Sequence, residues 1–197
     1  LPSAWSAWIG ILSGTLAGMA MGLLMAVLAV SLRTDQVIAS ITLVILGQGL
    51  TTYVYRQQFS SLTARVTGFS ELPIPYLADL PWIGPILFRH DIMTYFSVGL
   101  LGGVWFLLNQ TTWGMNIRAA GEHPAAAETS GINVSAVRYA AVLIGAAFAG
   151  LGGAVLTVAQ LGIFNEGITA GRGWIAVALV IFARWRPGLA LVGALLF

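Results

Sequence analysis

Four stretches of this sequence, residues 1–32, 36–55, 92–117 and 139–165, contain no charged side chain. A helix that crosses a bilayer needs about 20 consecutive apolar residues, because hydrocarbon offers no water to charges or to unpaired backbone groups. The stretches predict membrane spans over 8–31, 36–55, 92–110 and 139–161. Two shorter apolar pieces follow, 173–183 and 187–197. The first is too short to cross alone. Only 8% of the residues are charged and 58% are hydrophobic, whereas a soluble domain carries about 25% charge. The expected fold class is all-α: a polytopic transmembrane helical bundle, with a broken or re-entrant helix segment near 162–186.

The same composition removes several function classes. All nine basic residues are arginine, so there is no P-loop lysine for a nucleotide phosphate and no Schiff-base lysine. Any ATP used is hydrolysed by another chain. A formal charge of +2 on so apolar a chain does not suggest nucleic-acid binding. Cysteine is absent, no Gly-x-Ser-x-Gly occurs, and His90 and His123 fall outside the span centres. An intramembrane enzyme is therefore disfavoured, and neither a catalytic residue nor a metal site is expected. An ion-coupled secondary transporter usually carries acids in mid-span; here Glu166, at a span end, is the one candidate coupling carboxylate.

The connections divide the chain. Arg33-Thr34-Asp35 is so tight a link that the first two spans must form an antiparallel pair. The connection 56–91 holds Pro73, Pro75, Pro81 and Pro85 and suits an ordered loop lying at the interface. The connection 111–138 is more polar. The positive-inside rule puts 33–35 and 111–138 inside, with Arg33, Arg118 and Arg138, although the charge bias is nearly flat. The chain begins at Leu1 and stops at Phe197 within an apolar run, so one permeation domain over 1–197, truncated at both ends, is expected. Small residues at i, i+4 spacing form ribbons: Gly10, Gly14, Gly18 and Gly22; Gly99 and Gly103; Gly145, Ala149 and Gly153. Such ribbons let helices approach closely in lipid. Trp5, Trp8, Trp82, Trp105 and Trp113 suit interfacial anchoring.

Polar residues within apolar spans face a cavity or another helix. Gln48, between Gly47 and Gly49 and followed by Thr51, suits either an interhelical hydrogen bond or a solute contact. Asn165, Glu166, Thr169, Arg172 and Trp174 join the fourth span to the short piece. There Glu166 and Arg172 either pair or line a path. Arg184 and Arg186 are read as interfacial or cytoplasmic-side anchors.

The most informative stretch runs from Gly114 to Ile132. Pro124 suits a first helical position, Glu122 sits near the positive end of the dipole, Ala125–Ala127 favour helix, and Gly131 can close it in a left-handed conformation. So short a helix is not stable alone in water: it is expected either to pack against something, for which a partner protein is a natural candidate, or to be an ordinary interhelical turn.

The run from Arg118 to Ile132 resembles the coupling loop of bacterial ABC-importer permeases of the ribose, nucleoside and branched-chain amino-acid branch. Ala149-Gly-Leu-Gly-Gly-Ala is similar to the span after that loop. Gly171-Arg-Gly-Trp-Ile-Ala-Val-Ala-Leu-Val-Ile-Phe with Trp185-Arg-Pro resembles the nucleoside and simple-sugar subgroup, because the ribose and branched-chain subgroups usually show Gly-Gly near Phe182-Ala183. The subgroup's Gly and Asn near Ser40 and Val44 are missing here. The resemblance implies a multi-pass subunit of the bacterial cytoplasmic (inner) membrane. It implies an extracytoplasmic loop over 56–91 and a cytoplasmic coupling loop over 111–138, using Arg118, Gly121, Glu122, Ala126, Ala127 and Gly131. The implied partners are a cytoplasmic ABC ATPase carrying ATP and Mg, a second permease subunit, an extracytoplasmic solute-binding protein and the lipid bilayer; the chain itself would hold no cofactor. The implied solute is a nucleoside or simple sugar, with Gln48, Thr51, Asn165, Glu166, Thr169, Arg172 and Trp174 as path residues. A branched-chain amino-acid permease is the alternative.

Overall fold

The computed structural model describes residues 3–59, 64–65, 71–73, 89–164 and 167–196. The helices among them are α1 (Ser3–Ala26), α2 (Gln36–Phe59), α3 (Ile92–Gln110), α4 (Thr112–Glu122), α5 (Pro124–Thr129), α6 (Val134–Val155), α7 (Arg172–Phe182) and α8 (Pro187–Leu196). π-helical turns extend α1 over Val27–Ser31 and α6 over Leu156–Leu161. The short strands β1 (Ala64–Arg65), β2 (Glu71–Pro73), β3 (Arg89–Asp91) and β4 (Ile163–Phe164) pair antiparallel, β1 with β4 and β2 with β3. Most of the loop expected over 56–91, including Trp82, lies outside the described residues, as do Asn165 and Glu166.

Four segments are long and apolar enough to cross a membrane: Trp5–Ser31, Gln36–Gln58, Ile92–Gln110 and Val134–Ala159. All four expected spans are therefore present. The fourth begins five residues before its apolar run, because Asn133 starts the helix: the Ala136 N–H donates to Asn133 Oδ1 at 3.0 Å. The link between α1 and α2 closes similarly. Asp35 Oδ1 accepts from the N–H groups of Val37 and Ile38 at 2.8 and 3.2 Å, and Arg33 takes a left-handed φ of 52°.

The spine of the molecule is α1 packed antiparallel on α6. Gly14 faces Ala154, Gly18 faces Gly150 and Gly22 faces Ala146. A Cβ on Gly18 would lie 2.6 Å from the Ala146 oxygen and 2.7 Å from the Gly150 Cα, so the two backbones touch where side chains would otherwise stand. The glycine ribbon of α1 thus does what its spacing predicts. On α6 the contacting stripe is Ala146, Gly150 and Ala154, one residue on from the expected Gly145, Ala149 and Gly153. A Cβ at Gly145, Gly153, Gly99 or Gly103 would meet nothing within 4 Å.

Two sets of contacts mark the opposite ends of this spine. At one end the Ser31 hydroxyl hydrogen-bonds the Tyr139 hydroxyl, beside the 32–35 link. At the other, β1 pairs with β4 and the rings of Tyr55 and Phe164 stand 5.6 Å apart. Met93, at the start of α3, packs on Ile11 and Ala154 towards that second end. The 32–35 link and α4–α5 therefore share one end, and the β1–β4 pair the other. α7 and α8 form a hairpin in which Gly193 lies against Leu179. The break expected near 162–186 is real: Gly162, Gly167, Ala170 and Gly171 take left-handed φ values, and two short helices follow.

Candidate coupling element and path residues

The segment from Thr111 to Asn133 folds as a compact unit on the end of α3. Thr111 opens α4: its hydroxyl accepts from the Gly114 N–H at 3.2 Å and donates to the Leu107 carbonyl at 2.5 Å. Gly114 allows this turn, because a Cβ there would lie 2.5 Å from the Leu107 oxygen and would also strike the Leu108 carbonyl. One turn later Arg118 reaches back. Its guanidinium donates to the Leu108 carbonyl at 2.5 Å and to Asn109 Oδ1 at 2.9 Å. A cation on carbonyls at a helix C-terminus satisfies groups that the helix leaves unpaired and offsets its dipole. Arg118 therefore fastens α4 to α3. An open depression lined by Asn109, Thr111, Thr112, Met115 and Arg118 lies at this junction.

Pro124 occupies the first position of α5, as its fixed φ favours. The helix ends in a Schellman motif. The Gly131 N–H bonds the Glu128 carbonyl and the Ile132 N–H bonds the Ala127 carbonyl, both at 3.0 Å. Gly131 supplies the left-handed residue this requires, with φ of 84°. Ala127, 3% exposed, packs with Ala120 and Val134, flanked by Ile132 and Val137. That cluster ties α4, α5 and the start of α6 together. Gly121, Glu122, Ala126 and Gly131 remain exposed. Of the residues expected in the coupling loop, Ala127 thus holds the unit from inside and the exposed Arg118 ties it to α3, while the other four form its outer surface. Asn109, outside the expected 111–138 loop, was missed as a part of the unit, and Gly114, at the head of the informative stretch, had no role assigned to it. Gly114, two residues after Thr112 and four before Arg118, carried a readable signal; Asn109 carried none.

The expected path residues fall on two elements. Gln48 and Thr51 lie on α2 and are exposed, and the Thr51 hydroxyl donates back to the carbonyls of Gly47 and Gln48 at 2.8 and 3.0 Å. Thr169, Arg172 and Trp174 follow the α6 break in successive turns. The Arg172 N–H bonds the Thr169 carbonyl at 2.8 Å, and the Trp174 N–H bonds the Gly171 carbonyl at 2.9 Å. Trp174 is 65% exposed. Both elements lie towards the β1–β4 end, since Tyr55, one turn beyond Thr51, touches Phe164. Among the described residues no cluster of metal-ligating side chains occurs.

A family model described as the branched-chain amino acid transport system, permease component, matches residues 2–197. The chain belongs to this permease family. Three relatives of this permease component are similar over 96% of the chain. A permease protein provisionally assigned to glucose ABC transport in Haloferax volcanii is 43% identical and is covered over 58% of its length. A guanosine ABC transporter permease protein of Bacillus subtilis is 35% identical over 60% of its length. A nucleoside ABC transporter permease protein of Lactococcus lactis is 35% identical over 61% of its length. The chain thus spans about three-fifths of the curated relatives it matches. No solved structure matches it. The family is one of membrane permease components, and the four long apolar helices agree with the multi-pass chain expected from the charge-free stretches.

Proposed function

We propose that this chain is the membrane-spanning core of a permease subunit in an ATP-binding-cassette importer. The observation that carries the reading is the α4–α5 unit. It is a small helix pair on one end of the spine, fixed from behind by Arg118 and Ala127 and presenting Gly121, Glu122, Ala126 and Gly131 outward. Small outward residues on a rigid base suit the docking of a second protein. A cytoplasmic ATPase, with ATP and Mg on its own residues, presses on this surface, and α6 carries the movement into the α1–α6 spine. The 56–91 connection then faces outside, where an extracytoplasmic binding protein delivers the solute. A second permease subunit completes the path, and the setting is the prokaryotic cytoplasmic membrane. Alternation between outward and inward states needs no chemistry from this chain, only a difference in partner affinity between the two states.

The solute class we propose is neutral and hydroxyl-rich, a nucleoside or simple sugar. The names of the three relatives support it, as does a set of path residues dominated by amide, hydroxyl and indole groups. The test is uptake of radiolabelled guanosine, glucose and leucine by vesicles carrying the full-length permease, its ATPase and its binding protein. Uptake of guanosine or glucose should need ATP hydrolysis and survive a protonophore. Uptake of leucine alone would move the solute to the branched-chain class. Collapse with the protonophore, independent of the ATPase, would contradict the importer reading and turn attention to Glu166.

A further inference from the structure

The tip of the α7–α8 hairpin carries Arg184, Trp185 and Arg186, all exposed, with Trp185 at 77%. Among the described residues neither guanidinium has a hydrogen-bond or ionic partner. The hairpin arms are short: α7 has 11 residues and α8 has 10. At 1.5 Å per residue each arm is about 16 Å long, roughly half of a 30 Å hydrocarbon core. The arms carry no charge over 173–183 and 187–197, and α7 starts from the β1–β4 end of the spine, just beyond β4. Gly193 against Leu179 sets the arms antiparallel. Two apolar arms that enter from one surface and turn after about 16 Å place their tip near the middle of the membrane. An interfacial anchor at Arg184 or Arg186 would need an arm about twice as long to reach the far surface.

Charged side chains at that depth are expensive in lipid. They face a water-filled cavity or a partner that accepts their hydrogen bonds. Irregular backbone at membrane depth is tolerated under the same condition, and here Arg184 and Trp185 are consecutive left-handed residues, with φ of 50° and 60°. We propose that Arg184, Trp185 and Arg186 form a station in a water-filled part of the translocation path. The two guanidiniums donate hydrogen bonds to the oxygens of a hydroxyl-bearing solute, and the indole stacks on its ring. The proposal rests on the permease reading and deepens it by naming the mid-path contact.

The test uses the full-length permease with its ATPase and binding protein in membrane vesicles, in a background without other cysteines. Arg184→Cys, Arg186→Cys and Val180→Cys, the last on the α7 arm, are treated with a permanently charged methanethiosulfonate reagent. Both tip cysteines should react within about tenfold of the rate at Thr34→Cys, in the exposed 32–35 link, with Val180→Cys far slower, because modification follows exposure to water. Saturating solute should slow the tip reactions several-fold. In parallel, Arg186→Gln and Trp185→Ala should raise the KM of uptake about tenfold while amounts of assembled complex stay level. Tip cysteines that fail to react, or that react at a rate solute does not change, overturn the proposal. Failure of the permease reading shows separately, as a wild-type complex that neither hydrolyses ATP nor takes up solute.

Discussion

Gly18→Leu should leave almost no folded protein. The Gly18 position has no room for even one carbon, with the Ala146 oxygen 2.6 Å and the Gly150 Cα 2.7 Å from where a Cβ would stand. Both obstacles are backbone of a continuous helix and cannot rotate aside. A single extra methylene in a packed core costs about 1–3 kcal/mol when side chains can adjust; here α1 and α6 must separate along the contact that holds the bundle. Without close approach the pair loses its van der Waals packing, the main attraction between helices in lipid. Gly18→Ala should already lower the Tm of the detergent-solubilised protein by at least about 5 °C. Gly145→Ala, on the same α6 helix but facing open space in this chain, should leave it unchanged or slightly raised. Yield of monodisperse protein and thermal unfolding in detergent check both. Equal behaviour of the Gly18 and Gly145 variants would remove the α1–α6 contact as the spine of the fold.

Ala127→Asp should leave the bundle standing but silence the coupling unit. The Ala127 methyl is packed among Ala120, Val134, Ile132 and Val137. A carboxylate there finds no partner, and burying it costs several kcal/mol. A six-residue helix has no stability of its own to set against that cost, so α5 should detach from α4 and α6. Gly131→Val acts more locally. At φ of 84° a β-branched residue costs about 1–2 kcal/mol, and the Schellman turn that ends α5 is lost. Solute-stimulated ATP hydrolysis and uptake should fall at least tenfold for Ala127→Asp and less for Gly131→Val. Membrane insertion and the Tm of the spine should not change. Normal uptake by Ala127→Asp would show that the unit does not transmit the ATPase stroke.

The spans were legible because hydrocarbon rejects charge, so a run without Arg, Asp or Glu is nearly a drawing of a helix. The turn chemistry around α5 was legible for an equally local reason: Pro124 and Gly131 have conformational preferences that no neighbour overrides. The register of α6 was not. Stripes beginning at Gly145 and Ala146 are both small, differ by about 100° around the helix, and are distinguished only by which one meets α1. The start of α6 was misplaced because Asn133, a cap, outranks the apolar run that begins after Arg138. The role of Arg118 was hidden for a similar reason: its partners, Leu108 and Asn109, lie on the preceding helix, and charge in a loop reads equally well as a docking contact. Of the path residues, Gln48 and Thr51 share an end of the molecule with Thr169, Arg172 and Trp174.

The most direct measurement is site-specific photo-crosslinking in the full-length permease, with the reactive group at Glu122, Ala126 or Ala127, in membranes that also hold the ATPase. Glu122 and Ala126 lie on the outer surface of the unit, and Ala127 points into it. The account predicts capture of a nucleotide-binding ATPase from positions 122 and 126 and none from 127. Capture of no ATPase from any of the three, or labelling of position 126 by a reagent confined to the extracytoplasmic side, would contradict it.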